Sequence, residues 1–202
     1  FLGLKVVPDL LDIAMPTLET CECHSMSMEF LCWPFLNRFY GEGAERAKVI
    51  HLIDALYFIP YGCMVDEFQH IVYDNPDMTP AQRNDAWSAL EKQYRPWADF
   101  DGMPFYADGR VWQRQLHIFT SPFYYIDYCL AQTIALQFME RMTTQGWDAA
   151  WETYLALIRN TGKVTFTETI AAAGLRSPFE DGALTGVITA VKRYLDAHGD
   201  AL

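Results

Sequence analysis

Thr79-Pro80-Ala81-Gln82 puts an N-cap side chain, a proline at the first helical position and a glutamine at N3 in direct succession. That combination satisfies the orphan N–H groups of a helix start, so a helix is predicted from here to about Tyr94, ahead of Pro96. Outward from it, apolar spacing at i, i+3 and i+4 recurs along almost the whole sequence. Ser121-Pro122 opens a predicted helix over 122–142 that stops near Gly146 and buries Phe123, Ile126, Leu130, Ile134 and Phe138. Thr165 and Glu168 form a second capping box, and Gly174 is placed to cap the short helix that follows it. Helical spacing also covers 15–33, 44–73 and 183–198, with Pro34 ending the first and Pro60 kinking the second. Residues 97–109, with Gly102, Pro104 and Gly109, are the most loop-like. No segment of six or more residues alternates cleanly between apolar and polar. The expected fold class is all-α, a single multi-helix unit over 1–202 whose C-terminal helical part begins at about 146.

The composition narrows the function classes. The 202 residues carry a formal charge of −11, and a hydrophobic fraction of 51% with 20% charged residues can fill a core. So acidic a chain, with no Lys/Arg cluster, repels polyanions, and nucleic acid is not expected as a partner. Asp54 and Asp66 interrupt the most apolar stretch, 52–65, so no membrane span is expected. Five cysteines form no CxxC pair, which points to a reducing cytoplasm and not a disulfide scaffold. Phe1 is not an initiator Met and residues 2–11 lack signal-peptide features; the sequence is expected to be a fragment.

Three clusters could carry chemistry. Glu22, Ser25 and Glu29 stand at i, i+3 and i+7 and so share one helix face. Two carboxylates there are either a metal-binding wall or the solvent side of an amphipathic helix. His24 points elsewhere and reads as structural. Glu67 and His70 form one Glu-x-x-His pair, the unit that di-iron bundles use twice; the other reading is a hydrogen-bonded helix surface. Finally, His117 precedes Tyr124, Tyr125 and Tyr128, whose spacing gathers phenols at the start of a helix. Phenol and imidazole donors can stabilise a developing oxyanion, or the rings can simply be aromatic core.

On these residues the chain resembles the C-terminal half of the oligoendopeptidase F and thimet-oligopeptidase-like family of zinc metallopeptidases. The stretch Pro16-Thr17-Leu18-Glu19-Thr20-Cys21-Glu22-Cys23-His24-Ser25-Met26-Ser27-Met28-Glu29 is similar to the family's helix after its HExxH helix, in which a Glu is the third zinc ligand. The stretch from Gly109 to Leu130, with His117 and Phe123-Tyr124-Tyr125-Ile126-Asp127-Tyr128, resembles the later motif of a His followed by clustered tyrosines. Two motifs in the right order are more specific than either alone.

The resemblance implies a zincin-like oligopeptidase catalytic-domain fragment in which Glu22 ligates Zn²⁺. It also implies that Glu29 and Ser25 lie behind the metal ligands. His117, Tyr128 and either Tyr125 or Tyr124 would then face the reacting carbonyl. HExxH itself is absent, since no His-Glu dipeptide occurs in the sequence; the two His ligands and the general base would have to come from an upstream half. The chain alone is therefore expected to be inactive and prone to self-association, with the upstream half and short peptides as partners. The competing expectations are a non-catalytic helical binding module and, more remotely, a di-iron bundle.

Overall fold

The structure is a computed structural model and describes residues 16–202. Among them there are helices and turns and no strand. Among them seven helices have seven residues or more: α1 (Leu18–Leu31), α2 (Ala44–Asp74), α3 (Pro80–Tyr94), α4 (Tyr125–Gln145), α5 (Trp147–Asn160), α6 (Phe166–Ala172) and α7 (Thr185–His198). The all-α expectation is met. The expected start of the first helix at Met15, and the reading of residues 2–11, lie outside the described residues.

Local chemistry explains most helix ends. Thr79 accepts from the Gln82 N–H while the Gln82 side chain accepts from the Thr79 N–H, so α3 starts on a complete capping box. Thr165 and Glu168 repeat the device at α6. Gly146 and Gly174 take positive φ, 95° and 69°, where α4 and α6 must stop. α1 ends at Leu31, and Pro34 falls in the 3₁₀ turn Trp33–Phe35 that follows. α2 runs through Pro60 unbroken.

One expected start moved. Ser121-Pro122 does not open α4, because Phe123 adopts φ 63° and its N–H donates to Gln69 Oε1 at 2.8 Å. That left-handed residue turns the chain, and the helix begins at Tyr125. Phe123 is consequently 39% exposed instead of buried, and Ile126 and Leu130 are half-buried, while Ile134 and Phe138 lie in the core as expected.

By length and composition alone the helical run Trp33–Asp74 is apolar enough to cross a membrane, so the apolar stretch is longer than 52–65. Its Val49, Leu52, Ala55, Met64, Val65 and Phe68 are buried in protein, a pattern that the core helix of a globular domain shares.

The chain divides into two compact units: residues up to Ala55 with Leu130–Leu202, and Leu56–Cys129. In the first, Cys23 and Leu31 of α1 pack with Ile134 and Phe138 of α4, Tyr154 and Leu157 of α5, and Phe166 and Ile170 of α6. In the second, Met64, Val65 and Phe68 of α2 pack with Trp87 and Leu90 of α3 and with Val111, Trp112, Ile118 and Tyr125. Each fully buried large apolar side chain contributes about 1.5–3 kcal/mol. Glu91 is buried in the second core because Arg95 grips both its oxygens at 2.7–2.9 Å and the Trp87 indole donates to it at 3.0 Å. Burying that carboxylate without them would cost several kcal/mol.

Candidate active site

In the first unit, α1 buries Thr20, Cys23, Ser27, Phe30 and Leu31, which turns Glu22, Ser25 and Glu29 to the accessible side of the helix. Glu22 is half-buried and its Oε2 accepts from the Ser25 hydroxyl at 2.8 Å. Glu29 is bonded to α2, where its Oε2 lies 2.8 Å from His51 Nε2. The opposite ring nitrogen, Nδ1, accepts the Trp33 indole N–H at 2.9 Å. An indole can only donate, so a neutral His51 carries its proton on Nε2 and donates to Glu29. His51 was not singled out from the sequence, since its partners sit 22 and 18 residues away on other elements. His24 is apart from these groups. It bonds Thr161 Oγ1 at 2.9 Å, packs edge-on to Tyr154, and has its pKa lowered by burial.

The second unit assembles the aromatic cluster. His117 begins the single helical turn His117–Thr120, and the start of α4 supplies Tyr125 and Tyr128, with Tyr124 just before it. The imidazole centroid lies 5.1 Å from Tyr125, 5.7 Å from Tyr128 and 6.1 Å from Tyr124. Tyr125 is buried against Phe58 and Tyr61, and burial pushes its phenol pKa well above the ordinary value. Tyr124 and Tyr128 are half-buried with their rings 4.9 Å apart. Tyr128 Oη is 3.5 Å from His117 Nε2, at the outer limit of a hydrogen bond. On the other side of the ring, Nδ1 is 2.8 Å from the Gln115 amide nitrogen. Gln115 Oε1 accepts from Tyr61 Oη at 2.9 Å. Burial moves the Tyr61 phenol pKa up to about 12, opposed by the Arg95 guanidinium that lies 5.0 Å over its ring. Neither Gln115 nor Tyr61 was singled out from the sequence.

The Glu-x-x-His pair does not act as a pair. The Glu67 carboxylate accepts from Tyr94 Oη, while His70 lies 3.5 Å from Asp66 and packs at a tilt against Phe123. Both side chains belong to a hydrogen-bonded helix surface. Among the described residues no group of three His, Cys, Asp or Glu side chains could hold a metal ion. Half a di-iron set is therefore not formed here. Glu22, which accepts from the Ser25 hydroxyl, can supply one oxygen ligand, and further ligands would have to come from elsewhere.

Residues 1–187 match the family model described as Peptidase family M3. A solved structure described as an oligoendopeptidase F is 48% identical, covering 98% of this chain and 35% of that one, with a TM-score of 0.91. PZ peptidase A, solved with an inhibitor, is also 48% identical over 96% of this chain and 34% of its own, at 0.89. A third, described as an oligoendopeptidase F from Bacillus anthracis str. Ames, is 41% identical over 95% of this chain and 31% of its own, at 0.77. The chain thus spans about a third of the length of the solved structures it matches. No curated protein matches it.

These likenesses put the fold of this chain among oligoendopeptidase structures. It belongs to peptidase family M3.

Proposed function

We propose that this chain is the downstream part of the catalytic domain of a zinc-dependent oligoendopeptidase that hydrolyses short peptides. The observation that carries the reading is the placing of His117 Nε2 beside Tyr128 Oη at 3.5 Å, two groups that can each donate a hydrogen bond. Either group can donate to a carbonyl oxygen that is becoming an oxyanion, without itself losing a proton at neutral pH. Donors held in place beforehand are worth a few kcal/mol of barrier each. Tyr125 and Tyr124 flank the pair.

Glu22 is the zinc ligand contributed by this chain, held by the Ser25 hydroxyl. Zinc, when bound, supplies Lewis-acid polarisation of water and of the scissile carbonyl. The remaining ligands and the general base come from a segment carrying HExxH, because this sequence holds no His-Glu dipeptide. Glu29 holds the α1 face to α2 through His51. Five cysteines outside any disulfide suit a reducing, cytoplasmic setting. The partners are the rest of the peptidase and short peptides.

Combining the chain with an HExxH-bearing upstream segment of the family tests this. The expected result is one zinc per complex and cleavage of a short fluorogenic peptide, with neither in the chain alone. No zinc in either state would contradict the reading and favour a non-catalytic helical module; iron bound by the chain alone would favour the di-iron alternative.

A further inference from the structure

The hydrogen bonds behind His117 decide which face of its ring carries the proton. A neutral imidazole has one N–H and one lone pair, and the partner of one nitrogen fixes the role of the other. Gln115 offers either its amide N–H or its carbonyl oxygen to Nδ1, depending on which way the amide is turned. Tyr61 governs that choice. Its hydroxyl lies 2.9 Å from Gln115 Oε1, and the Arg95 guanidinium over its ring draws electron density from the phenol, which favours donation over acceptance. Arg95 in turn is held by three hydrogen bonds to the buried Glu91. With Oε1 committed to Tyr61, the Gln115 N–H faces Nδ1 at 2.8 Å, and Nδ1 must present its lone pair.

The Tyr128 side leaves the choice to Gln115. Tyr128 Oη is 3.5 Å from Nε2, and a hydroxyl there can either donate to a lone pair or accept from an N–H.

We propose that Gln115, oriented by Tyr61, is a positioning residue that locks His117 as the Nε2–H tautomer, so that the ring meets substrate as a donor. The inference rests on the peptidase reading for its catalytic consequence, but the tautomer is a property of the chain alone. Without the lock, the neutral ring divides between two forms, and the form with a lone pair on Nε2 repels an oxyanion.

The test is ¹⁵N NMR of the histidine-labelled chain in alkaline buffer, where imidazoles are neutral. The chain has five histidines, and His117→Gln identifies the signals. Wild type should show His117 protonated on Nε2. Gln115→Glu keeps the size and the Tyr61 bond but offers Nδ1 only an acceptor, so the proton should move to Nδ1. Gln115→Leu, which removes both bonds, should give a mixture. In the complete peptidase at the same pH, Gln115→Glu should lower kcat about 10²-fold with KM unchanged, the loss typical of removing one oxyanion donor. Protonation on Nδ1 in wild type, or the same tautomer in all three proteins, overturns the proposal whatever the assay gives. A switched tautomer with unchanged kcat overturns its catalytic half and, with it, the role given to His117 in the peptidase.

Discussion

Cys129 Sγ fills the space that a side chain on Gly62 would need: a Cβ built on the glycine lies 2.2 Å from that sulfur. The contact brings the first turn of α4 hard against α2, where Cys129 also reaches the Ile59 carbonyl at 3.6 Å. Tyr125 and Tyr128 are on the same turn, so the approach helps set their position over His117.

Gly62→Ala should therefore destabilise the protein. Alanine gains up to about 1 kcal/mol of helix propensity over glycine, but overpacking of a tight contact costs about 1–3 kcal/mol, and at 2.2 Å the clash wins. Adding Cys129→Ala makes room and should return most of the loss. Urea denaturation of the two single variants and the double variant measures the coupling, and additive effects would show that the two positions are independent.

His24 should give stability an acid-side dependence. Burial lowers its pKa below the ordinary 6.5, so below pH 6.5 the unfolded chain takes up a proton that the folded one resists. The unfolded state then binds more protons, and stability falls as pH drops through that window. Above 6.5 the effect is absent. Melting temperatures between pH 7.5 and 5.5 should fall less in His24→Gln than in wild type, and parallel curves would remove His24 as the cause.

Thr79→Ala removes the acceptor of the Gln82 N–H at the start of α3 and should cost about 1 kcal/mol. The effect should be confined to stability, with peptidase activity of the complete enzyme unchanged. Calorimetry together with a peptide assay checks both parts.

Such caps were legible because their chemistry is local. Thr79 with Gln82, and Thr165 with Glu168, settle their bonds within three residues. Ser121-Pro122 carried the same local signal and failed, since the bond that decides the turn joins Phe123 to Gln69, 54 residues away. The candidate site divides in the same manner. Glu22 with Ser25 and the tyrosines of α4 follow from helical spacing. The partners that orient the two imidazoles do not, because Glu29 and Trp33 reach His51 from outside its helix, and Tyr61 reaches Gln115 across 54 residues.

Tyr128→Phe keeps the ring and its edge contacts with His117 and Phe58. The melting temperature should barely move. In the complete enzyme kcat and kcat/KM should fall together by about 10²–10³-fold, since the lost bond forms only as the oxyanion develops. A rise in KM alone would make Tyr128 a substrate-binding residue, and unchanged kinetics with a lower melting temperature would make it part of the core.

The most direct measurement is the zinc content of Glu22→Gln in the complete peptidase, read beside its turnover. Glutamine keeps the shape and can still accept from Ser25, but it is a neutral and weaker ligand. The peptidase reading predicts that most of the bound zinc and most of the activity disappear together. A variant with a full equivalent of zinc and normal turnover would contradict it.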